Sequence, residues 1–488
     1  MRRSIQSLMI ITVLTAAAAV VWAEPRETDS AGAPLEAADP YGGPSGEITL
    51  EEAVSLALQH NPLLAAGTQA LSAADARVVQ AGLLPNPELE IEVENFGGSA
   101  DLGGFEYAES TAVISQPILL GGKRSRRRAV AQTDYVLAGR DLDAVKLDVR
   151  ARAAAAFYVV LIAQDRQALA NELLNLAQRV ADTVQIRVDA GKVSPVESTR
   201  AQIEVSTARI SVIRSVRELA AARARLSATW GSSTTSFQRA IGTLPDPGPP
   251  PPLDRLIPLL DDTPEIRRLN DHIQRRDQVL DLENSFRFPD LTLAAGPRWF
   301  KATGQSAWVA GFGLSIPVFD RNQGERRAAE FEVERARRDA QAGRVAIETE
   351  LVAVVERLTA AAEVSDALNR DLVPATSSAF AAIETGYREG KFGFLDVLVA
   401  QRALFDARSV LLDSLEEYAL TRIELERIVA RSLTRIPHRV STADGEWQPP
   451  VVLFPNSAPQ RSATTPASPD SRKTQHLTTL RRPRDETR

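Results

Sequence analysis

The densest cluster of ionisable side chains is Glu88, Glu90, Glu92 and Glu94, set at every second position and interleaved with Leu89, Ile91 and Val93. Carboxylates can act as general acid and base, but that chemistry needs a protonated and an ionised group held at a defined geometry around one substrate. Four like carboxylates in alternation instead line one face of a β-strand, with the apolar set on the other face. Other chemistry-bearing residues are sparse. The histidines His60, His272, His438 and His476 lie far apart, so a histidine-rich metal centre is not expected. The absence of cysteine removes disulfides, thiolate metal sites and an acylated lipoprotein cysteine. The formal charge is −6, which offers no basic excess for a nucleic-acid partner. Neither an enzyme nor a resident metal or cofactor is expected, and the glutamates read as a surface lining.

The elements that carry this lining follow from composition and periodicity. The chain has 488 residues, of which 44% are hydrophobic, 25% charged and only 5% aromatic. Such a mixture suits long helices packed through small side chains. Arg2 and Arg3, an apolar run from Leu8 to Val21, and Val21-Trp22-Ala23 before Glu24 read as a secretory signal over 1–23. Helices are expected over Leu50–Gln59 and Pro62–Leu84, stopped by Pro85 and Pro87. A strand from Glu88, a glycine-rich loop over Asn95–Gly104 and a second strand over Thr111–Gln116 come next. Gly122 to Gly191 then holds no proline and one interior glycine, Gly139, enough for a helix on the order of 100 Å long. Further strands are expected near Asp290–Arg298 and Trp308–Ile316, the latter with Trp308, Ala310, Phe312, Leu314 and Ile316 on one face. Leu351, Val354, Leu358, Ala361, Leu368 and Leu372 form a helical stripe between Glu325 and Tyr387.

These elements occur twice. His60-Asn61-Pro62 returns as Asp262-Thr263-Pro264, 202 residues later, and Pro87 returns as Pro289 at the same offset. Ile114-Ser115-Gln116-Pro117 returns as Leu314-Ser315-Ile316-Pro317 at 200, and Gly191-Lys192 as Gly390-Lys391 at 199. The implied organisation is a signal at 1–23, a flexible segment at 24–47 and a first repeat at 48–230. A proline-rich linker at 231–254, a second repeat at 255–431 and a disordered tail at 432–488 follow.

Four strands pose a physical problem. An open sheet with an apolar face cannot sit in a bilayer with unpaired edges, and transmembrane barrels need at least eight strands. One chain cannot close a barrel; two or three chains could. The ordered set of the Leu50-to-Pro62 helix, the Pro85-Asn86-Pro87 strand entry, the Gln116-Pro117 exit with Gly121-Gly122, and the repeated Gly-Lys turns resembles the TolC-like outer-membrane efflux family over Ile48 to Ala430. The resemblance implies a mainly α fold with a small membrane β part, and a trimeric 12-stranded barrel on a long helical tunnel. It also implies a homotrimer in outer-membrane lipid, working with a periplasmic adaptor and an inner-membrane pump, expected to be proton-driven.

Carried over by position, Gly191, Lys192, Val193, Ser194 and Pro195, with Gly390, Lys391, Phe392, Gly393 and Phe394, are the periplasmic tips where adaptors engage. Gly191 and Gly390 can end helices in the left-handed conformation. Ser194 can cap the next helix, with Glu197 as its capping-box partner. Exposed Val193, Phe392 and Phe394 would supply the docking surface. Glu197, Tyr387 and Asp396 fall in the gate region. Phe392 and Val399 stand where better-known members carry an arginine and an acidic constriction ring, so an acidic ring at Val399 is not expected. Glu88, Glu90, Glu92 and Glu94 would face the barrel lumen and favour cations. Residues Leu83 to Gly98 resemble the cobalt-zinc-cadmium branch, which makes divalent metal the leading cargo. Drug efflux, a type I polypeptide-secretion duct and a non-pore periplasmic coiled-coil adaptor are the alternatives.

Overall fold

The computed structural model describes residues 43–99 and 104–433. The expected signal at 1–23, residues 24–42 and the tail from residue 434 onward lie outside the described residues.

Side-chain caps set the starts of the first two helices and of the helix Pro264–Ser285. Helix α1 (Leu50–His60) begins at Thr49, whose hydroxyl accepts from the Glu52 amide while the Glu52 carboxylate accepts from the Thr49 amide at 2.9 Å. Helix α2 (Pro62–Ala81) is capped by Asn61 and has Pro62 in its first turn. Asn61 also donates to the Thr229 carbonyl at 2.7 Å, pinning this corner to the far end of the first repeat. Its repeat equivalent is Thr263, which caps the helix Pro264–Ser285 in the same way. Helix α2 stops at Ala81 rather than Leu84, ahead of Pro85 and Pro87.

The chain then forms β2 (Glu88–Glu94) and β3 (Glu109–Ile118), followed by α3 (Lys123–Asp189) and α4 (Pro195–Ala228). At 67 residues α3 is on the order of 100 Å long. After the helical stretches α5 (Leu253–Leu256) and α6 (Pro264–Ser285), the second repeat supplies β5 (Leu291–Phe300) and β6 (Gln305–Leu314). It ends with α7 (Gln323–Ala367), α8 (Val373–Arg388) and α9 (Phe394–Ile428). A π-helical turn, Leu368–Leu372, joins α7 to α8. Pro374 has no N–H to offer the preceding turn, and the wider turn accommodates its ring. The expected continuous stripe breaks here: Leu368 is buried, but Leu372 is 44% exposed because the wide turn rotates the face.

Two further strands were not visible as alternation. β1 (Gly46–Ile48) pairs in parallel with β4 (Phe237–Ala240), so residues expected as flexible (24–47) and as linker (231–254) include a small sheet. Ile48, Trp230, Phe237 and Ala240 are buried there against Phe157, Val160 and Leu226 of the helices. The six-proline stretch from Thr243 to Pro252 carries neither helix nor strand. A second core, around Leu256, Leu260, Leu351, Leu358 and Leu425, belongs to the other repeat.

The four-stranded sheet runs β2-β3-β5-β6, antiparallel throughout. Its hairpins reproduce the duplication in register. Leu89 pairs with Ile114, and their equivalents Leu291 and Leu314 pair with each other. In the β3–β5 ladder the partners skip Gly296 and Pro297, where Pro297 lacks a donor and the chains come close. A Cβ on Gly296 would lie 1.9 Å from the Ala112 carbonyl oxygen, whereas one on Gly311 would meet nothing within 4 Å. Gly296→Ala is therefore expected to abolish the folded sheet, a clash beyond the ~1–3 kcal/mol of ordinary overpacking. Gly311→Ala should be tolerated. Gel mobility of unheated against heated membrane extracts checks both, with the folded form lost only for Gly296→Ala.

Candidate functional site

The strand register sorts the sheet into two chemically distinct faces. On one lie Leu89, Ile91, Val93, Ile114, Leu293, Trp299, Trp308 and Phe312, brought level by the pairs Leu89–Ile114, Leu293–Phe312 and Pro297–Trp308. Trp308 and Phe312 are 81% and 79% exposed, so this apolar face has no cover within the protomer. Strands of ten residues span about 30 Å, the depth of a hydrocarbon layer.

The other face carries Glu88, Glu90, Glu92 and Glu94 beside Ser115, Thr111 and Glu109. Arg298 joins them through the Thr111–Arg298 pair. Its guanidinium reaches Glu94 and Glu109, each at 3.3 Å, and donates to the Thr111 hydroxyl at 2.9 Å. Alternation had placed the glutamates together, but Arg298 escaped notice because it lies about 200 residues away and becomes a neighbour only through β3–β5 pairing. No metal-binding cluster of three or more His, Cys, Asp or Glu side chains occurs among the described residues.

The hairpin tips form the second candidate region. Gly191 and Gly390 have φ of +66° and +80°. In each tip the residue after the glycine donates back across the turn, Lys192 to the Arg187 carbonyl at 2.9 Å and Lys391 to Gly386 at 2.7 Å. Ser194 caps α4 through the Val196 amide. Glu197, however, does not close the expected capping box: its Oε2 is buried without a hydrogen-bond partner. In the second tip Asp396 accepts from the Gly393 amide at 2.9 Å.

The expected aromatic docking surface is corrected. Phe394 is 3% exposed and packs against Tyr387, ring centroids 6.3 Å apart, inside a core with Val184, Val205 and Leu398. As the first residue of α9 it points inward, because that helix needs an apolar anchor against the neighbouring hairpin. Val193 is half-buried. Phe392 is 46% exposed, with its ring seated over Gly386, where a Cβ would come within 2.4 Å. Leu395 and Val399 are the more exposed apolar groups of this tip.

Tyr387 is buried between the two hairpins. The Arg187 guanidinium lies 4.4 Å from its ring centre and donates to its carbonyl at 2.8 Å. Burial raises the phenol pKa above the usual 10, with Arg187 opposing and the Glu197 charge adding to the rise. The phenol therefore stays neutral through physiological pH. Any stability linked to its proton is complete below pH 10 and is lost only as the pH climbs past its raised pKa.

One sheet face suits hydrocarbon, while no described helix is long and apolar enough to cross a membrane. That division defines a barrel-and-tunnel protein whose strands alone enter lipid. Residues 53–232 and 259–431, the two repeats, match the family described as outer membrane efflux protein, and the chain belongs to that family. It is 34% identical to the cobalt-zinc-cadmium resistance protein CzcC of Cupriavidus metallidurans, over 79% of this chain and 91% of that protein. The nickel-cobalt-cadmium resistance protein NccC of Alcaligenes xylosoxydans is 28% identical over 57% of this chain and 62% of the relative. Among solved structures, CusC superposes with a TM-score of 0.69 at 18% identity, covering 78% of this chain and 91% of that one. VceC of Vibrio cholerae gives 0.67 at 18% identity, covering 79% and 96%. The protein is an outer-membrane exit duct of a tripartite efflux system, its helical tunnel lying in the periplasm.

The glycines make the tips sensitive to substitution. Gly191→Val and Gly390→Val should each destabilise a tip by about 1–2 kcal/mol or more, since a β-branched residue resists positive φ. Hydrogen exchange should accelerate at amides flanking the changed turn and remain unchanged in the strands.

Proposed function

We propose that three copies close a 12-stranded barrel and that the duct passes divalent metal cations outward from an adaptor and a proton-driven inner-membrane pump. The observation that carries the cargo reading is the 34% identity, over most of both chains, to a protein named for cobalt, zinc and cadmium resistance. The electrostatics of the sheet support it. With the apolar face in lipid, the glutamate face lines the lumen, where Glu88, Glu90, Glu92, Glu94 and Glu109 outnumber the single Arg298. Acidic linings raise the local concentration of cations. The duct needs no tight metal ligand, because a cation held strongly would not leave. Drug cargo or polypeptide cargo would use the same fold.

Adaptor docking at Gly191–Pro195 and Gly390–Phe394 is part of this proposal, with Leu395 and Val399 extending the exposed apolar surface beside Phe392. We assign Glu197, Tyr387 and Asp396 to the periplasmic gate; a core that includes Val184, Val205, Tyr387 and Phe394 supports this by joining the two hairpins within one copy.

Deleting the gene should raise intracellular cobalt, zinc or cadmium and sensitise cells to those ions. Sensitivity confined to organic cations would replace metal by drug cargo. Changing Glu88, Glu90, Glu92 and Glu94 together to Gln should preserve assembly. In reconstituted bilayers it should lower cation-over-anion selectivity, most clearly at low salt. Unchanged selectivity there would remove the electrostatic support.

A further inference from the structure

One end of the acidic ladder is built differently from the rest. Across the β2–β3 pairing, Glu88, Glu90 and Glu92 stand opposite the uncharged Ser115, Val113 and Thr111, whereas Glu94 stands opposite Glu109. Two carboxylates directly opposed in a ladder repel each other. Helices α2 and α3 join the sheet at the Glu88 and Ile118 ends of these strands, so the Glu94–Glu109 pair lies at the far end. With the helical tunnel in the periplasm, that end is the outer mouth of the duct.

Arg298 of β5, paired with Thr111 of β3, reaches both carboxylates. Its Nη2 lies 3.3 Å from Glu94 Oε2 and its Nη1 3.3 Å from Glu109 Oε2, while its Nε donates to the Thr111 hydroxyl at 2.9 Å. The other Glu109 oxygen accepts from the Asn95 side-chain amide at 3.3 Å. Three oxygens of three side chains therefore converge on one guanidinium. The group is partly shielded, with Arg298, Glu94 and Glu109 side chains 30%, 41% and 24% exposed. Carboxylate and hydroxyl oxygens gathered around one cation are also what a hard divalent ion takes as ligands, at about 2.0–2.6 Å. Here that place is filled by a positive charge fixed to the wall.

We propose that Arg298 is a release residue, whose guanidinium occupies the Glu94–Glu109 pair so that divalent cations are not held at the outer mouth. A conducting pathway must attract its ion yet bind it weakly enough to let it leave. Glu88, Glu90 and Glu92 each face an uncharged partner and attract cations singly. Glu94 and Glu109 would instead offer two carboxylates at once, at the last step before the exterior. The tethered guanidinium offsets one of those charges and takes up an oxygen of each. This rests on the lumenal reading of the glutamate face given above, and adds to it the residue that sets how firmly the exit holds a cation.

The test reads potassium current through the full-length duct in planar bilayers, with cadmium chloride added on both sides. Arg298→Gln should be half-blocked at a cadmium concentration on the order of tenfold below that of the wild type, the effect of one unit charge a few Å from a divalent ion in water. Arg298→Lys keeps the charge and should stay near the wild type. Adding Glu94→Gln to Arg298→Gln should return the block to the wild-type concentration. Either the wild type or Arg298→Lys matching the sensitivity of Arg298→Gln would overturn the proposal, as would a block that survives Glu94→Gln. Asn95→Asp, at an exposed position with Arg298 retained, sets a third carboxylate beside the one guanidinium and should also lower the blocking concentration. It covers the case in which Arg298→Gln does not insert, and no shift in it would then overturn the proposal. Arg298→Gln should also raise cation-over-anion selectivity, because the lumen loses a positive charge. Selectivity raised without a gain in block overturns the release role alone, whereas unchanged selectivity overturns the lumenal reading beneath it.

Discussion

The structure turns on the backbone groups at the edges of a sheet. Unpaired N–H and C=O groups cost several kcal/mol each in hydrocarbon, so a sheet with a lipid-facing side must close. This chain supplies only four strands to that sheet, and leaves β2 and β6 open. Every other property follows from how four strands can be made part of a closed object. The outward residues must be apolar along the whole span, the inward ones free to be acidic, and the helices must leave the membrane as soon as the strands end. The turn at Gly121 and Gly122, both at positive φ, makes that exit between β3 and α3. Lys123, nearly buried, anchors it by pairing with Asp290 at 2.8 Å.

Duplication solves the geometric part economically. Because each repeat brings one hairpin of strands and one hairpin of long helices, the barrel and the tunnel are built from the same repeating unit and share its periodicity. The caps Asn61 and Thr263, the strand registers and the positive-φ glycines of the tips all recur at offsets near 200. The repeats have nonetheless diverged where function permits. Glutamates dominate one face of β2, whereas the same face of its equivalent β5 carries Thr292, Ala294 and Gly296. The acidic charge of this face is thus concentrated in β2, with Glu109 of β3 beside it.

How much of this could be read from the sequence depended on the range of the interaction. Local signals were strong: alternation over Glu88–Glu94, proline stops at Pro85 and Pro87, the proline-free span of α3 and the glycines at the tips each reflect forces within a few residues. The small β1–β4 sheet was missed because three- and four-residue strands are too short to show a period. Their pairing is enforced by burial of Ile48 and Phe237 against Phe157 and Trp230. The inward turn of Phe394 was missed for a related reason. A phenylalanine beside a glycine-rich turn reads as exposed until Tyr387 of its own hairpin and Val184 and Val205 of the partner hairpin, about 200 residues away, cover it.

The two hairpin tips of one protomer are joined without a ring of charge. Val399 offers no carboxylate, and Glu197 and Asp396 lie in the first turns of the helices that follow the tips. Asp396 is occupied with the Gly393 amide, and the buried Oε2 of Glu197 lacks a hydrogen-bond partner. Cohesion comes instead from Tyr387 and Phe394, on the two arms of one hairpin, packed in a core with Val184 and Val205 of the other, and from Arg187 stacked on the tyrosine and bonded to its carbonyl. Apolar contacts of this kind are insensitive to the ionic strength and metal content of the periplasm, whereas an acidic ring would be screened by salt or bridged by divalent ions. For a duct whose proposed cargo is itself a divalent cation, hairpins joined through apolar packing avoid a contact that the cargo would bind.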